Sequence, residues 1–458
     1  MPSFEADLST AQHEMWIAES LDPGTSAFHV PLAIELCGEL DQPALRAAIA
    51  ALVARHEALR TSFVAREHGA RQVVASDAMP CIEHIAPRDT GEAAVGELLA
   101  ALAARPFELA SGAVRVALIV LAPQRHILFL CLHHLVCDGW SLSILARELR
   151  ALYRLGADAL APPAYQFVDW SEWQATLAPQ PAAQACRDET CAMPPPCVLE
   201  LAAPVPAPPH WVAASVDSNL TAPQWNELRR RAQQHGVTPF EWLGSLFGLF
   251  LARLYAVDEL LLSVPVANRD REEFADTVGC LVQTVTLHLS LSPQLPFAHN
   301  LARLAPAMRA ALAAGPLSPA APAALARRQA AHDGAAHAPA LFVLQNATAM
   351  DGDWGPQLRA TPRPLENLGA KSDLAMRIEP RDGQARMVLE YRASRFPPSL
   401  ALALGQAWHA WVLAVCADPA RSVINLALAP APMPQAALPA GAVADLWRGF
   451  EAQALRDG

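Results

Sequence analysis

The sequence predicts an α/β protein (α+β) built from two halves of similar arrangement, and three observations support this. A nearly all-apolar run from His126 to Leu132 is typical of a strand buried on both faces, and a helical pattern follows it to Tyr153. The order helix, helix, strand recurs between Thr221 and Val266. Between the halves, residues 176–210 are rich in Ala and Pro, which is typical of an extended linker.

Length and composition narrow the class of protein. With 458 residues, 53% of them hydrophobic, the chain can form two or three domains with large cores. The formal net charge of −11 gives no support to a nucleic-acid partner. Nine cysteines lack metal-ligand spacing, so we expect no metal site and reduced thiols in a cytoplasmic protein. No signal peptide is evident, and the longest apolar stretch, near Trp242 to Ala252, is too short to span a membrane.

The elements of the first half follow from caps and periodicity. Ser9, with Gln12 three residues later, predicts the start of a helix. Alternating apolar residues from Leu32 to Cys37 predict a strand. Asp41 then caps a helix whose apolar residues recur at helical spacing to Val53. Further predictions are a strand at Val114 to Leu121 and core aromatics within Tyr165 to Trp170.

The second half shows equally clear boundaries. Thr221 caps a helix that ends near Gly236. Thr238 and Glu241 form a capping box for an apolar helix that reaches about Tyr255. The remaining predicted strands are Leu260 to Val266, Leu341 to Asn346, and two closing strands that include Lys371 to Leu374 and Leu389 to Tyr391.

Polar residues gather where the buried strand at His126 to Leu132 gives way to the next helix. His133 and His134 are followed by Asp138, Gly139 and Ser141. This position gives a catalytic group a fixed place and a dry environment. Successive residues of a strand point to opposite faces, so only one of the two histidines can line a cavity. We expect Gly139 to permit a backbone geometry that a side chain resists, and Ser141 to accept from a helix N–H.

The pattern His133-His134-x3-Asp138-Gly139 resembles the signature of condensation domains of nonribosomal peptide synthetases, a superfamily related to chloramphenicol acetyltransferase. Ser9 to Gln12 and Arg55 to Phe63 resemble two further motifs of that family. The resemblance covers roughly residues 8 to 428. It implies two acetyltransferase-like subdomains that form a V-shaped pseudo-dimer with a central channel.

The resemblance also implies a role for each motif residue. His134 lines the reaction channel, as a general base or as a positioning group, and His133 and Gly139 are the neighbouring members of the catalytic motif. Asp138 is structural, and Arg60 is expected to be its buried partner, because a buried carboxylate is costly unless it is paired. Trp140 is expected to support the site. Four residues are expected near the substrates: Ser141, Arg269, Asn268 where the family has Gly, and Gln283 where it has Asn.

The implied reaction is amide formation between an acyl thioester and the amine of an aminoacyl group on a downstream peptidyl carrier protein. The domain itself is expected to bind no cofactor, since phosphopantetheine arms of carriers, or acyl-CoA, present the substrates. The predicted divisions are subdomains at 1–175 and 211–430, the linker at 176–210, and a segment at 431–458 that leads toward an adenylation domain.

Several alternatives remain open. An epimerization domain has the same two histidines but acts after an adenylation and carrier unit, and a heterocyclizing domain has acids in their place. A non-catalytic module that binds or recruits carriers is favoured by the departures at Asn268, Gln283 and residues 329–333, and disfavoured by the intact histidine motif. Because little sequence precedes Ser9, we prefer a starter domain that takes a fatty or aryl acyl group over one served by a separate carrier.

Overall fold

Strand β7 (Arg125–His133) is the centre of the first of two large sheets. The computed structural model describes residues 3–21, 23–67, 69–77, 81–177, 212–314, 340–345, 352–363, 365 and 369–428. The first sheet has the order β12-β13-β2-β7-β6-β5, with His29 opposite His133 where β2 and β7 pair antiparallel. Its other strands are β2 (His29–Gly38), β5 (Ile82–Ile85), β6 (Val114–Ala122), β12 (Gly352–Gly355) and β13 (Leu358–Arg363).

Both faces of β7 are buried, as the all-apolar run predicts. Leu128, Leu130 and Leu132 pack in one core with helices α2 and α4, whereas Phe129 and Cys131 pack in another with α3. A small sheet of order β1-β4-β3 completes the sheets described for this half. The elements are α1 (Thr10–Leu21), α2 (Gln42–Arg55), α3 (Glu92–Ala104), α4 (Gly139–Leu155), α5 (Phe167–Ala175), β1 (Phe4–Asp7), β3 (Thr61–Arg66) and β4 (Gly69–Val74).

The second large sheet has the order β10-β9-β11-β14-β15-β8. Nearly every residue from Glu241 to Leu254 in helix α7 (Pro239–Tyr255) is buried, as expected for a helix that is apolar around its circumference. Helix α9 is long and apolar enough to cross a membrane, but its Trp408 and Trp411 lie in the core. The elements are α6 (Ala222–Gln234), α7 (Pro239–Tyr255), α8 (Phe297–Ala314), α9 (Pro398–Ala417), β8 (Ala213–Leu220), β9 (Glu259–Val266), β10 (Gln283–Ser290), β11 (Ala340–Leu344), β14 (Leu374–Arg381) and β15 (Gln384–Arg392).

The chain divides into two units whose boundaries differ from the predicted contiguous halves. The first unit contains Met1–Ala178 together with two later segments, Ala267–Gln283 and Thr348–Gly369. The rest of the chain forms the second unit. The later segments belong to the first unit because β13 pairs with β2, and because residues of Ala267–Gln283 bond to the loop before α4. Almost all of the predicted linker at 176–210, the departures at 329–333 and the segment 431–458 lie outside the described residues.

Candidate active site

The turn that follows β7 is anchored by main-chain and side-chain hydrogen bonds. The N–H of His134 donates to the carbonyl of Phe28 at 2.8 Å. His134 then begins a short 3-10 turn that ends at Val136. Gln12 Nε2 donates to the carbonyl of Leu135 at 2.8 Å, and Gln12 is itself buried. The imidazole of His134 is therefore carried by a fixed turn, and His134 is half-buried whereas its neighbours His133 and Leu135 are fully buried.

The two adjacent histidines have different surroundings. His133 Nδ1 accepts from the N–H of Leu135 at 3.2 Å, so a neutral His133 carries its proton on Nε2. That Nε2 lies 3.6 Å from Glu19 Oε2. The ring packs edge-on against Phe107, with centroids 5.8 Å apart. His133 is thus part of the packed interior, and His134 is the histidine available for chemistry.

His29 extends the interior cluster around His133. Its Nδ1 lies 2.7 Å from the carbonyl of Ala103, to which it donates, and burial lowers the pKa of His29 to about 4. That value already includes smaller lowering contributions from His133 and Arg115, and opposing ones from the bond to Ala103 and the Glu19 carboxylate. His29 is accordingly neutral at pH 7 and belongs to the packing behind the turn.

Asp138 holds the loop between the turn and α4. As N-cap of α4, its Oδ1 accepts from the N–H and from the Oγ of Ser141, each at 2.7 Å. Arg269 Nη2 donates to both carboxylate oxygens at 3.1 Å, and the N–H of Leu281 donates to Oδ2 at 3.2 Å. The side chains of Asp138 and Arg269 are each only 3% exposed. This buried ion pair fixes the loop because Asp138 is bonded at once to Ser141 in the first turn of α4 and to two residues of Ala267–Gln283.

The predicted pairing of Arg60 with Asp138 is wrong. Arg60 ends a short 3-10 turn after α2, where its Nη1 donates to the carbonyl of Ala75 and its Nη2 lies 3.5 Å from Glu57. The partner of Asp138 is Arg269, whose Nη1 also donates to the carbonyls of Phe274 and Thr277 at 3.1 and 2.8 Å. Sequence alone showed that a buried carboxylate needs a cation, but the choice of cation required the return of Ala267–Gln283 to the first unit.

Two expectations for the start of α4 also need correction. Ser141 does not cap the helix, since Asp138 does, and Ser141 is fully buried with its Oγ donating to Asp138 or to the carbonyl of Gly279. Burial places Ser141 within the network that holds Asp138 and Gly279. Gly139 is the first residue of α4 and is not among the described glycines with positive φ, so no left-handed geometry requires it.

Trp140, which is expected to support the site, is 51% exposed. Its Nε1 donates to the carbonyl of Ala275 at 3.0 Å. The guanidinium carbon of Arg269 lies 5.7 Å from the centre of the ring, which is cation–π range. Trp140 therefore covers the arginine that holds Asp138.

The two departures from the family pattern contact each other. Asn268 Nδ2 donates to Gln283 Oε1 at 3.0 Å. Asn268 has a φ of 54°, in the left-handed region that Gly and Asn tolerate best. Asn268 therefore occupies a backbone conformation that Gly would also adopt readily, and its amide reaches Gln283. Gln283 is buried, and the bond between the two side chains joins the ends of Ala267–Gln283.

Each residue of the segment Gly279 to Leu281 contacts a residue between His134 and Ser141. Gly279 exchanges bonds with Ser141 Oγ through its N–H at 3.1 Å and its carbonyl at 2.9 Å, and a Cβ at Gly279 would lie 2.1 Å from Phe167 Cδ2. Cys280 Sγ lies 3.8 Å from His134 Nδ1. Cys280, Glu19 and Gln12 were not predicted as site residues from the sequence. Gln12 and Cys280 both lie in segments that resemble motifs of the family, whereas Glu19 does not.

Comparisons with known proteins identify the family of this chain. The family described as Condensation domain matches residues 4–435. Phosphinothricin tripeptide synthetase PhsC of Streptomyces viridochromogenes is 30% identical over 90% of this chain, and surfactin synthase subunit 1 of Bacillus subtilis is 27% identical over 96%. The chain spans only 39% and 12% of these two relatives, respectively.

Solved structures show the same fold. A four-domain nonribosomal peptide synthetase bound to AMP and glycine superposes with a TM-score of 0.83 at 18% identity, covering 94% of this chain and 34% of that one. The first condensation domain of the CDA synthetase gives 0.74 at 22% identity, covering 93% and 99%. The X-domain from teicoplanin biosynthesis gives 0.79 at 22% identity, covering 92% and 97%. With the family match over nearly its whole length, this chain belongs to the condensation domain family and has the chloramphenicol acetyltransferase-like α/β fold of that family.

Proposed function

We propose that this chain catalyses amide formation between an acyl thioester donor and the amine of an aminoacyl group held on a carrier protein. Condensation domains of nonribosomal peptide synthetases form amide bonds in general. The observation that supports catalysis here is the state of His134. It is half-buried at the end of β7, while the groups that hold its turn, Gln12, Asp138 and Arg269, have buried side chains with hydrogen-bond partners.

The reaction makes modest chemical demands. The amine nitrogen attacks the thioester carbonyl, a C–N bond forms, the C–S bond breaks, and the thiolate leaves with the proton that the amine loses. A thioester is already activated, so no covalent intermediate on the protein is needed. Holding amine and carbonyl together supplies about 7–11 kcal/mol of the barrier. His134 takes the proton from the attacking amine, which is worth roughly 10²–10⁴-fold in rate.

The substrates bring their own carriers under this proposal. The donor arrives on a phosphopantetheine arm or on CoA, and the acceptor arrives on a downstream peptidyl carrier protein, so the domain needs no bound cofactor. An adenylation domain of the same synthetase loads that carrier. The family match and the multidomain relatives support these partners. A fatty or aryl acyl starter group is our preferred donor over an aminoacyl group.

A second candidate function has one specific observation in its favour. The teicoplanin X-domain has also been solved in a complex with OxyB, and this chain superposes on that X-domain with a TM-score of 0.81 at 22% identity, covering 93% of this chain and 96% of that one. A non-catalytic module that binds a partner protein is therefore the alternative. An epimerizing domain is the other one, since it carries the same two histidines.

One reconstitution separates these functions. The chain is mixed with carrier proteins loaded with different aminoacyl groups, and with acetyl, long-chain acyl, benzoyl and aminoacyl thioester donors, and the mass of the intact carrier is measured. We expect an amide product that forms faster from acyl donors without an amino group than from aminoacyl donors. Amide formation with aminoacyl donors alone would contradict the starter assignment. Binding of carriers without any amide would support the non-catalytic module, and inversion of the aminoacyl Cα without amide would support epimerization.

A further inference from the structure

The thiol of Cys280 contacts the imidazole ring of His134. Cys280 is fully buried, and its Sγ lies 3.8 Å from His134 Nδ1, within hydrogen-bond range for sulfur. Because sulfur is a weak acceptor and S–H is a weak donor, this contact contributes little energy but can favour one orientation of the His134 ring. The half-buried imidazole of His134 is the group that such an orientation affects most.

The position of the sulfur is fixed from both sides. Gly279 is tied to Ser141 Oγ through its N–H and its carbonyl, and the N–H of Leu281 donates to Asp138 Oδ2. Phe167 packs so closely on Gly279 that a side chain there would force a shift. Cys280 stands between these two anchored residues. A displacement of Asp138 would therefore move Leu281 and Cys280, and with them the sulfur beside His134.

We infer that Cys280 is a positioning residue that accepts a hydrogen bond from Nδ1–H of His134 and thereby leaves the Nε2 lone pair for the amine proton. This inference rests on the proposed function, which needs His134 to accept a proton. A neutral imidazole has one N–H and one bare nitrogen. If Nε2 is the bare nitrogen, the proton lies on Nδ1, and Nδ1 faces Cys280 Sγ. Asp138 then acts on the ring through Leu281 and Cys280.

Two substitutions at Cys280 and one control test this inference. C280A removes the acceptor, whereas C280S keeps an acceptor on a shorter side chain. The control is C416A, which removes an equally buried sulfur from the core of the second unit. For each protein we measure kcat and KM for amide formation, the pH dependence of kcat/KM, and the ¹⁵N shifts of the His134 ring, assigned by their absence in H134A.

We expect C280A to lower kcat by roughly three- to tenfold with little change in KM, the size of one modest hydrogen bond. The acid limb of kcat/KM should move to lower pH, because the lost acceptor stabilised the charged ring most. The ¹⁵N shifts should show the proton on Nδ1 in the wild type and a mixture of tautomers in C280A. C280S should lie between wild type and C280A, and C416A should match the wild type in all three measurements.

Two outcomes would overturn the inference while leaving the proposed function intact. One is a wild-type pH profile and kcat in C280A, and the other is a wild-type His134 ring protonated on Nε2. Both presuppose that H134A itself is inactive. If H134A keeps wild-type activity, the role of His134 fails and the inference fails with it, whereas absence of amide formation by the wild type would contradict the proposed function. Melting temperatures of the variants separate these effects from misfolding.

Discussion

Helix α4 has two buried carboxylates, one of which fixes a loop while the other joins two helices. Asp138 caps its N-terminus and Glu148 lies in its interior, with side chains 3% and 5% exposed. Both have arginine partners. Asp138 binds Arg269 and ties down the loop that carries His134. Glu148 accepts from Arg55 Nε at 2.8 Å and lies 2.6 Å from His56 Nε2, which ties α4 to the end of α2.

The difference teaches that a buried ion pair does not by itself mark an active site. The Glu148 cluster joins two helices and has no exposed reactive group among its members, since His56 is itself buried. The Asp138 cluster differs because it fixes a turn on which His134 is half-buried. The matched motif Arg55 to Phe63 contributes Arg55 and His56 to the Glu148 cluster, not Arg60 to Asp138.

The largest expected effect comes from breaking the Asp138 pair. D138A and R269A should each cost about 3–5 kcal/mol of unfolding free energy, because each leaves a buried charge without its partner. The rate of amide formation per folded molecule should also fall, since the loop no longer fixes His134. R60A is the matched control and should cost about 1 kcal/mol, the worth of its hydrogen bond to Ala75. Denaturant unfolding measures the free energy of unfolding of all three variants. Equal losses for R60A and R269A would contradict the assignment of Arg269 as the buried partner of Asp138.

A smaller effect is expected from E148Q. The amide keeps the shape of the side chain but loses the charge that Arg55 and His56 contact, which should cost about 1–3 kcal/mol. The rate of amide formation per folded molecule should stay at the wild-type value. A rate that falls together with stability would show that the two clusters are coupled and that the contrast between them is wrong.

The pH dependence of stability sharpens the same contrast. Burial tends to raise the pKa of Glu148, but hydrogen bonds and charge from His56 and Arg55 outweigh it and hold the pKa below its ordinary value. A carboxyl with a lowered pKa stabilises the fold above its unfolded pKa, and this stability is lost as pH falls through the folded value. The difference in melting temperature between wild type and E148Q should therefore stay constant above the ordinary glutamate pKa of 4.5 and shrink as the pH falls below it. A difference that also stays constant below this pH would contradict the ionised pair.

The smallest effect concerns the neutral pair Asn268 and Gln283. The variants N268G and Q283A and their double mutant form a cycle whose coupling should be about 0.5–1.5 kcal/mol. Glycine keeps the left-handed backbone at 268, so the cycle reports the amide contact at 3.0 Å. A coupling near zero would mean that the contact between Asn268 and Gln283 does not contribute to stability.

Much of the fold was predictable because local signals are strong where caps and periodicity agree. The apolar run at His126 to Leu132 became β7, and Asp41, Thr221 and Thr238 cap helices as predicted. The capping pair of Ser9 and Gln12 is present as well. The failures were long-range. Nothing local to Arg269 or Cys280 shows that their segment returns to the first unit, so the partner of Asp138 and the neighbour of His134 required the structure.

The central claim is that His134 acts on the attacking amine, and single-turnover amide formation by H134A tests it most directly. Wild type and H134A, matched by melting temperature, are mixed with one loaded acceptor carrier and one acyl thioester donor under saturating conditions. We predict that H134A is slower by at least about a hundredfold, the lower end of what a general base contributes. A rate equal to that of the wild type would contradict any chemical role for His134.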